Sequence, residues 1–275
     1  MPTLSSGPAV AVVDRARGGR LASLVVDGHE LLVQPEPGEA PDPLMWGCFP
    51  MVPFAGRVRG GRFMWGGRLV EMPQNHAGHA MHGTLFDDRW LAERTEDRYV
   101  RLRARLEPRW PFPGWAIQEV SLSPTQIELR LEVHTAEAPF PATAGWHPWF
   151  RRRLDDGDLD PDDGSADLQV GLHASRWYPR DLDGLPTGAV LPVPQHASWD
   201  DCFTAVTWPV TLTWPGLLSA TLTSTCSHVV LYDQHRQGIC VEPQSGPPDA
   251  FNLDRAHVVR PDDPLVLEAT LSWAT

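Results

Sequence analysis

The sequence predicts an all-β protein whose antiparallel sheets pack as a sandwich or a barrel. Apolar and polar residues alternate with a period of two in many segments, which is typical of strands that bury one face. The 23 glycines and 28 prolines are spread along the chain and separate these segments as turns. No window of about twelve residues has helical periodicity, so we expect many short antiparallel strands.

The alternation is clearest at residues 127–133, where Ile, Leu and Val alternate with Glu and Arg. Residues 218–224 alternate in the same way, and residues 206–214 are rich in Val, Thr and Trp. Further strands are predicted at residues 10–13, 21–26, 100–106, 229–232, 238–241 and 266–271.

Residues 151–167 differ from the rest of the chain, because three arginines precede an acidic stretch with Gly and Pro. This composition predicts a solvated loop rather than a linker, since strand patterns resume on both sides of it. No internal repeat is visible. We therefore expect a single domain that spans residues 1–275.

Composition excludes several classes of function. The chain has 23 basic residues, all of them Arg, against 35 acidic ones, and its net charge of −12 disfavours a nucleic-acid or anionic-membrane partner. Without Lys, neither Schiff-base chemistry nor a Walker A phosphate site is available. No apolar run is long enough for a membrane-spanning helix. The absence of CxxC pairs and of a signal-peptide pattern leads us to expect a cytoplasmic protein with reduced thiols.

Two clusters of basic residues lie in the first third of the chain. One consists of three arginines among glycines, Arg57, Arg59 and Arg62. They form either an exposed basic hairpin or a cleft in which one arginine binds a ligand hydroxyl or carboxylate. The other consists of three histidines spaced three apart, His76, His79 and His82. Residues three apart face opposite sides of a strand and nearby glycines disfavour a helix, so we expect no metal site there.

Aromatic residues surround His147, which lies between Trp146 and Trp149 and is followed by Pro148. The proline favours an extended backbone at the histidine. The aromatic rings provide apolar surroundings in which the pKa of an imidazole shifts readily and against which a sugar ring can stack. The pattern is compatible with a core histidine and with a functional histidine in a pocket.

Carboxylates complete the candidate residues. Glu242 follows the apolar segment 238–241 and precedes a proline, so it is either a general base at a strand end or an ordinary charged strand end. Asp200 and Asp201 are adjacent and face opposite sides of a strand, so we expect at most one of them in a given site. Together with twelve tryptophans, these groups favour a carbohydrate site in a β-rich cleft.

The motifs resemble those of the aldose 1-epimerase, or galactose mutarotase, family. The segment CVEPQSGPPDAFN resembles the family's glutamate signature, GWHPWF its histidine segment and GRVRGGRF its arginine segment. The segments GHAMHG, LPTG and DDCF match in family order, so the resemblance runs from about residue 47 to residue 252. The sequence departs from the family pattern at Thr84, Trp149 and Arg151, which leaves the substrate open. The segment GCFPMVPFAGRVRGGRF resembles a less characterised bacterial branch.

The resemblance implies a galactose-mutarotase-like β-sandwich that interconverts the α and β anomers of a free hexose without a cofactor or metal. Glu242 is the implied base that takes the proton of the anomeric hydroxyl, and His147 is the implied acid that protonates the ring oxygen. The implied substrate-binding residues are His82, Arg57, Asp200, Gln244 and Trp146. The family spacing favours Asp200 over Asp201. Beyond the sugar, we expect no nucleic-acid or membrane partner and either a monomer or a homodimer.

Three other functions are compatible with parts of the sequence. A hexose-6-phosphate 1-epimerase would use the arginine cluster to bind phosphate, although the net charge of −12 does not favour an anionic substrate. A non-catalytic carbohydrate-binding protein of the same fold would bind a sugar without changing its rate of mutarotation. A metalloenzyme built on the three histidines has the least support, and metal analysis would decide it.

Overall fold

The structure is a computed structural model that describes residues 1–36, 38, 40–154, 167–195 and 198–274. These residues form 23 strands, one 3₁₀ turn at Arg59–Gly61 and the loops between them. The predicted all-β class is confirmed, and the described ranges contain no α-helix and so no helix that could cross a membrane. Most of the loop predicted at residues 151–167 lies outside the described residues.

The strands, numbered in chain order, are β1 Thr3–Ser6, β2 Ala9–Asp14, β3 Arg20–Val26, β4 His29–Glu30, β5 Cys48–Met51, β6 Arg57–Val58, β7 Arg62–Trp65, β8 Arg68–Glu71, β9 Ala80–Met81, β10 Leu91–Glu96, β11 Tyr99–Arg105, β12 Trp115–Leu122, β13 Gln126–His134, β14 Phe140–Ala142, β15 Gly145–Arg151, β16 Gln169–Tyr178, β17 Leu191–Pro192, β18 Asp200–Trp214, β19 Leu218–Ser224, β20 His228–Tyr232, β21 Gly238–Gln244, β22 His257–Val259 and β23 Leu265–Trp273.

Most of these strands belong to one antiparallel hydrogen-bonded sheet that folds into two layers. The front sheet has the order β1-β2-β3-β5-β15-β21-β20. The back sheet has the order β19-β23-β13-β12-β11-β10. The long strand β18 joins the two layers, since residues 200–204 pair with β20 and residues 210–214 pair with β19. A strand shared by both layers fixes how they face each other.

The core lies between the two layers and is formed by the strand faces that alternation predicts as apolar. In β13 the side chains of Ile127, Leu131 and Val133 are buried. From the front sheet, Trp146 of β15 enters the same core, where its indole N–H donates to Oε1 of Gln118 at 3.3 Å. Each fully buried apolar side chain contributes roughly 1.5–3 kcal/mol, so this interface between layers is the main source of stability.

The predicted strands agree with the structure, with differences at their ends. The segment predicted at residues 206–214 is the second part of the longer strand β18, whose first part pairs with β20. The segment predicted at 100–106 ends at Arg105. Fourteen of the 23 described strands were not predicted, and most of these are short. Among the longer ones, β12 has the polar Gln118 at an inward position, and β16 is largely exposed. In both cases the apolar alternation is interrupted.

Candidate active site

A cavity of about 340 Å³ opens on the face of the front sheet that points away from the core. Its floor consists of two rows of neighbouring side chains from β18, β20, β21 and β15. One row contains Cys202, Val230, Glu242 and His147. The other row contains Asp200, Tyr232 and Trp149, with the fully buried Cys240 between the last two. Loops before β5 and after β16, together with β6 and the end of β9, form the walls.

Two ionisable side chains meet on this floor. Nε2 of His147 lies 3.3 Å from Oε1 of Glu242. The contact arises because the register that pairs Trp149 with Cys240 sets residues 147 and 242 across from each other. Both side chains are buried, and neither Nδ1 of the histidine nor Oε2 of the glutamate has a hydrogen-bond partner among the described residues. Buried polar atoms without a partner are unfavourable, so a bound ligand is the expected partner.

Burial shifts the pKa of both groups toward their neutral forms. Burial lowers the pKa of His147 and raises the pKa of Glu242 well above 4.5. The negative charge of Asp200 raises the pKa of Glu242 further, and the positive charge of Arg57 lowers it. The direct contact favours the ion pair, whereas burial favours the neutral pair. Both arrangements hold one proton, which resides on the imidazole in the first case and on the carboxyl group in the second.

Aromatic rings hold the imidazole of His147 in one orientation. Phe49 stacks on it with ring centroids 4.8 Å apart and an interplanar angle of 19°, and Trp149 stacks on it at 5.5 Å and 23°. The indole N–H of Trp149 donates to the carbonyl oxygen of Leu44 at 2.8 Å, which anchors that ring. The imidazole edge therefore points in a fixed direction toward Glu242.

His82 lies beside this pair in a turn that the backbone holds in place. Its ring meets that of His147 edge-on, with centroids 4.8 Å apart, and its backbone N–H donates to the carbonyl oxygen of Gly56 at 2.9 Å. Gly83 follows with a φ of +84°, and a Cβ there would lie 2.0 Å from the carbonyl oxygen of Val52, so only glycine fits. Burial lowers the pKa of His82 well below 6.5, and its Nδ1 has no partner among the described residues. A neutral His82 is thus available to bind a ligand hydroxyl.

Within the arginine cluster, Arg57 is the member that lines the cavity. It lies on β6, and its Nη1 donates to the carbonyl oxygen of Gly184 at 3.0 Å. Arg59 instead binds two carboxylates of the loop after β16, at 2.6 and 3.1 Å, namely Asp181 and Asp183. Arg62 is exposed. The cleft interpretation therefore applies to Arg57 and the exposed-hairpin interpretation to Arg62, which lies in the β7–β8 hairpin. Arg59 follows neither, because its guanidinium is held by carboxylates.

The expectation that at most one of the two adjacent aspartates enters the site is wrong, because both contact the same cavity residue. Oδ2 of Asp200 accepts from Nη1 of Arg180 at 2.6 Å, and Oδ1 of Asp201 accepts from Nε of Arg180 at 3.0 Å. Arg180 follows β16 and reaches both carboxylates at the start of β18. Asp200 has the more exposed side chain, 27% against 8% for Asp201. Asp200 thus faces the cavity more openly, as expected, but Asp201 also lines it.

Two of the expected substrate-binding residues do not line the cavity. Trp146 points into the core, because residues 146 and 147 face opposite sides of β15. Gln244 is fully buried at the end of β21, where its Nε2 lies 3.8 Å from Sγ of Cys202. The expectation that these two side chains contact the substrate is corrected: the first supports the core and the second supports the floor of the cavity.

The histidines of the 76–82 motif do not form one cluster. His76 lines the cavity, whereas Nδ1 of His79 accepts from the backbone N–H of Gly60 at 3.1 Å. The described residues whose ligand atoms could converge on a metal ion are instead His82, His147 and Glu242, whose atoms lie within 4.8 Å of one another. The same arrangement also suits an acid, a base and a neighbouring hydrogen-bonding group.

Several cavity residues were not predicted. Trp149 shares the face of His147, so strand alternation alone could have placed it there. Arg180, Tyr178 and Tyr232 enter the cavity through a loop or through pairing between distant strands. The sequence around them contains no local signal for this position.

Residues 3–269 match the sequence profile described as aldose 1-epimerase. The chain belongs to the aldose 1-epimerase family. The relative named uncharacterized protein YihR, from Escherichia coli K12, is 27% identical to this family member over 252 residues, which are 86% of this chain and 80% of YihR. Another E. coli K12 relative, uncharacterized protein YphB, is 30% identical over 110 residues, or 38% of this chain and 36% of YphB.

Solved structures of similar proteins share the fold of this aldose 1-epimerase family member. A galactose mutarotase-like protein from Clostridium acetobutylicum superposes with a TM-score of 0.84 at 15% identity, covering 99% of this chain and 94% of that one. A galactose 1-epimerase from Lactobacillus acidophilus NCFM superposes with a TM-score of 0.79 at 16% identity, covering 99% and 93%. The predicted galactose-mutarotase-like sandwich is therefore confirmed.

Proposed function

We propose that this protein interconverts the α and β anomers of a free hexose by acid–base catalysis through ring opening. The observation that carries the proposal is the buried contact of 3.3 Å between Nε2 of His147 and Oε1 of Glu242 on the floor of an open cavity. An acid and a base placed side by side can act on the two oxygens of one hemiacetal. The name of the galactose 1-epimerase from L. acidophilus, which has the same fold, supports a hexose as the substrate.

The proton count of the pair fits both halves of this reaction. With the cyclic sugar bound, Glu242 is a carboxylate that accepts the proton of the O1 hydroxyl, and His147 is an imidazolium that donates to the ring oxygen O5. The C1–O5 bond breaks and an aldehyde forms. The pair is then neutral, with the proton on the carboxyl group. Rotation about C1–C2 and the reverse transfers close the ring on the other face.

The environment of the pair suits it to both protonation states. Burial favours the neutral pair, which is the form that accompanies the open-chain sugar, and the direct contact favours the ion pair, which accompanies the ring. The stacked rings of Phe49 and Trp149 keep the imidazole aligned. Proton transfer by a positioned group typically supplies about 10²–10⁴ in rate.

Other side chains in the cavity are suited to hold hydroxyl groups. His82 has a buried, unpartnered Nδ1 next to His147, so we assign it to the oxygens near C1. The guanidinium of Arg57 places a positive charge near Glu242. This charge can stabilise the negative charge that develops on O1 as the ring opens. Asp200 presents a partly exposed carboxylate that can accept from a ring hydroxyl.

The charges in the cavity favour a neutral hexose over a hexose phosphate. Arg57 and Arg180 are offset by Asp200 and Asp201, and Arg180 is bonded to both of these carboxylates. Arg59, which the phosphate hypothesis requires, is bonded to aspartates outside the cavity. A phosphate would therefore meet no uncompensated cluster of cations. We expect inorganic phosphate and sulfate to leave the activity unchanged at equal ionic strength.

Polarimetry on freshly dissolved α-D-glucose and α-D-galactose tests the proposed function. We expect the protein to accelerate the approach to the equilibrium rotation for at least one of the two sugars. Binding of these sugars with no acceleration would instead indicate a non-catalytic carbohydrate-binding protein. Accelerated mutarotation of glucose 6-phosphate, with no acceleration for the two free sugars, would indicate a phosphorylated substrate.

A further inference from the structure

Arg180 stands out in the cavity because two carboxylates hold its guanidinium while its side chain remains accessible. Its Nη1 donates to Asp200 at 2.6 Å, its Nε donates to Asp201 at 3.0 Å, and 29% of the side chain is exposed. A guanidinium has five N–H donors in a planar fork. The two bonds to carboxylates leave N–H groups on Nη1 and Nη2 that can face a ligand in the cavity.

The sheet register gives the distance of Asp200 from the acid–base pair, and Arg180 lies beside Asp200 through their hydrogen bond. Strand β20 separates β18 from β21, and Asp200 is offset by two residues from Cys202, which lies in the row of Glu242. Two strand spacings of roughly 4.8 Å and an offset of two residues at roughly 3.4 Å each place the Cα atoms of Asp200 and Glu242 about 12 Å apart. Side chains that extend inward from both positions leave room for one sugar ring between them.

The geometry of a pyranose then decides which of its groups meet Arg180. His147 and Glu242 must address O5 and O1, so the C1–O5 bond faces them. In a six-membered ring the bond opposite C1–O5 is C3–C4. The hydroxyls O3 and O4 therefore point toward the far side of the cavity, where Arg180 and Asp200 lie side by side.

We propose that Arg180 is a specificity-determining residue that donates hydrogen bonds to a ring hydroxyl at O3 or O4, with Asp200 as the adjacent acceptor. This inference rests on the proposed function for the placement of C1. A donor next to an acceptor is complementary to a hydroxyl pair, since each hydroxyl can accept from one and donate to the other. The pairing with Asp200 and Asp201 offsets the charge of Arg180, which directs it toward neutral hydroxyls rather than phosphate.

The surrounding loop supports a fixed position for this guanidinium. Residue Gly184 has a φ of +73°, and a Cβ there would lie 2.9 Å from Nη1 of Arg57 and 3.8 Å from Nη1 of Arg180. The two guanidiniums therefore flank the same glycine at one wall of the cavity. Asp201, which is 6% exposed, accepts from Nε of Arg180 and thereby holds the guanidinium in place. A preorganised donor of this kind loses little conformational freedom on binding.

Deoxy sugars combined with variants at Arg180 test the assignment. Wild-type protein, Arg180→Met and Arg180→Lys are measured on D-glucose, 3-deoxy-D-glucose and 4-deoxy-D-glucose, with kcat and KM taken from exchange NMR between anomers. For wild-type protein we expect a loss of about 10- to 100-fold in kcat/KM for the deoxy sugar that lacks the contacted hydroxyl, because a hydrogen bond to a charged group is lost. We expect Arg180→Met to show a similar loss on D-glucose, mainly through KM, and little further loss on that deoxy sugar.

The control variant is Arg59→Met, which removes an arginine that holds the same loop through Asp181 and Asp183 but does not line the cavity. This variant should show the same loss in kcat/KM for the deoxy sugar, relative to D-glucose, as the wild-type protein. Arg180→Lys keeps a positive charge and N–H donors beside Asp200 and Asp201 but lacks the planar fork, so it should retain only part of the wild-type discrimination against the deoxy sugar. Full wild-type discrimination in Arg180→Met would overturn the assignment and leave Arg180 as a support for Asp200.

The proposed function and the role of Arg180 can fail separately. The same set of sugars and variants is measured in parallel by isothermal titration calorimetry. Wild-type protein that binds D-glucose without exchanging its anomers would contradict the proposed function, while the dissociation constants would still test Arg180. Equal affinity of the wild-type protein for all three sugars would overturn the role of Arg180 whether or not the sugars are turned over.

Discussion

Two histidine–glutamate pairs of the same residue types lie in very different surroundings. On the outer face of the back sheet, Nε2 of His134 lies 2.6 Å from Oε2 of Glu132, and Arg130 donates to the same carboxylate at 2.8 Å. On the floor of the cavity, Nε2 of His147 lies 3.3 Å from Oε1 of Glu242, and the remaining polar atoms of this pair lack partners in the described structure. The first pair is partly exposed and the second is buried.

The two glutamates respond to these surroundings in opposite directions. Partial burial would raise the pKa of Glu132, but hydrogen bonds from His134 and Arg130 outweigh it and lower the pKa below 4.5. Burial raises the pKa of Glu242 well above the same value. The comparison indicates that burial without an arginine bonded to the carboxylate, rather than the pairing itself, gives the cavity pair its capacity to exchange protons.

The largest expected effect concerns the two histidines. His147→Asn removes the proposed acid, so kcat for mutarotation should fall by about 10²–10⁴. His134→Asn removes the matching residue of the outer pair and should leave kcat unchanged. Both rates are measured by polarimetry, with circular dichroism to verify the fold. Equal losses in the two variants would remove the distinction between the pairs.

The two glutamates should also differ in how they link stability to pH. The folded-state pKa of Glu242 is raised, so its contribution to stability is present below about pH 4.5 and is lost as the pH rises toward the folded-state value. The side chain of Glu242→Gln does not titrate, so the stability of this variant relative to the wild-type protein should increase as the pH rises from 5 to 8.

For Glu132 the sign is reversed. Its folded-state pKa is lowered, so its contribution to stability is present above about pH 4.5 and is lost as the pH falls through the folded-state value. Glu132→Gln should therefore be destabilised near pH 7 by about 1 kcal/mol and should approach wild type in acid. Urea denaturation of Glu242→Gln at pH 5 and pH 8, and of Glu132→Gln at pH 3.5 and pH 6, each beside the wild-type protein, gives the two slopes. Slopes of the same sign would contradict the assigned environments.

The smallest expected effect concerns the rings that stack on each histidine. Phe49→Leu removes one of the two rings that hold His147, whereas Trp115→Leu removes the ring that stacks on His134 at 5.2 Å. An aromatic contact is worth about 0.5–1.5 kcal/mol, so kcat should fall about 2- to 10-fold in the first variant and should not change in the second. An unchanged kcat in Phe49→Leu would show that stacking does not align the imidazole.

The strands were predictable where one face of a strand meets the core, because burial then imposes strict alternation. β13 and β19 show this pattern, and the structure confirms them. β12 was not predictable in the same way, since Gln118 occupies an inward position to bind Trp146. The joining of both layers by β18 depends on pairings between distant segments, which a local pattern does not contain.

The cavity was predictable in its residue types more than in its geometry. The resemblance pointed to Glu242, His147, His82 and Arg57, and the structure brings these four together around one cavity. It also pointed to Trp146, although alternation from His147 would have selected Trp149 instead. Arg180 could not be found from the sequence, because its relation to Asp200 exists only after β16 and β18 pair.

The central claim, that the buried pair exchanges protons with a hemiacetal, is tested most directly by the rate of mutarotation of Glu242→Gln beside that of Glu132→Gln. A glutamine amide cannot accept the O1 proton. The account predicts that Glu242→Gln, measured by polarimetry on the sugar that the wild-type protein converts fastest, loses about 10²–10⁴ in rate while Glu132→Gln matches the wild-type protein. A folded Glu242→Gln variant with the wild-type rate would contradict it.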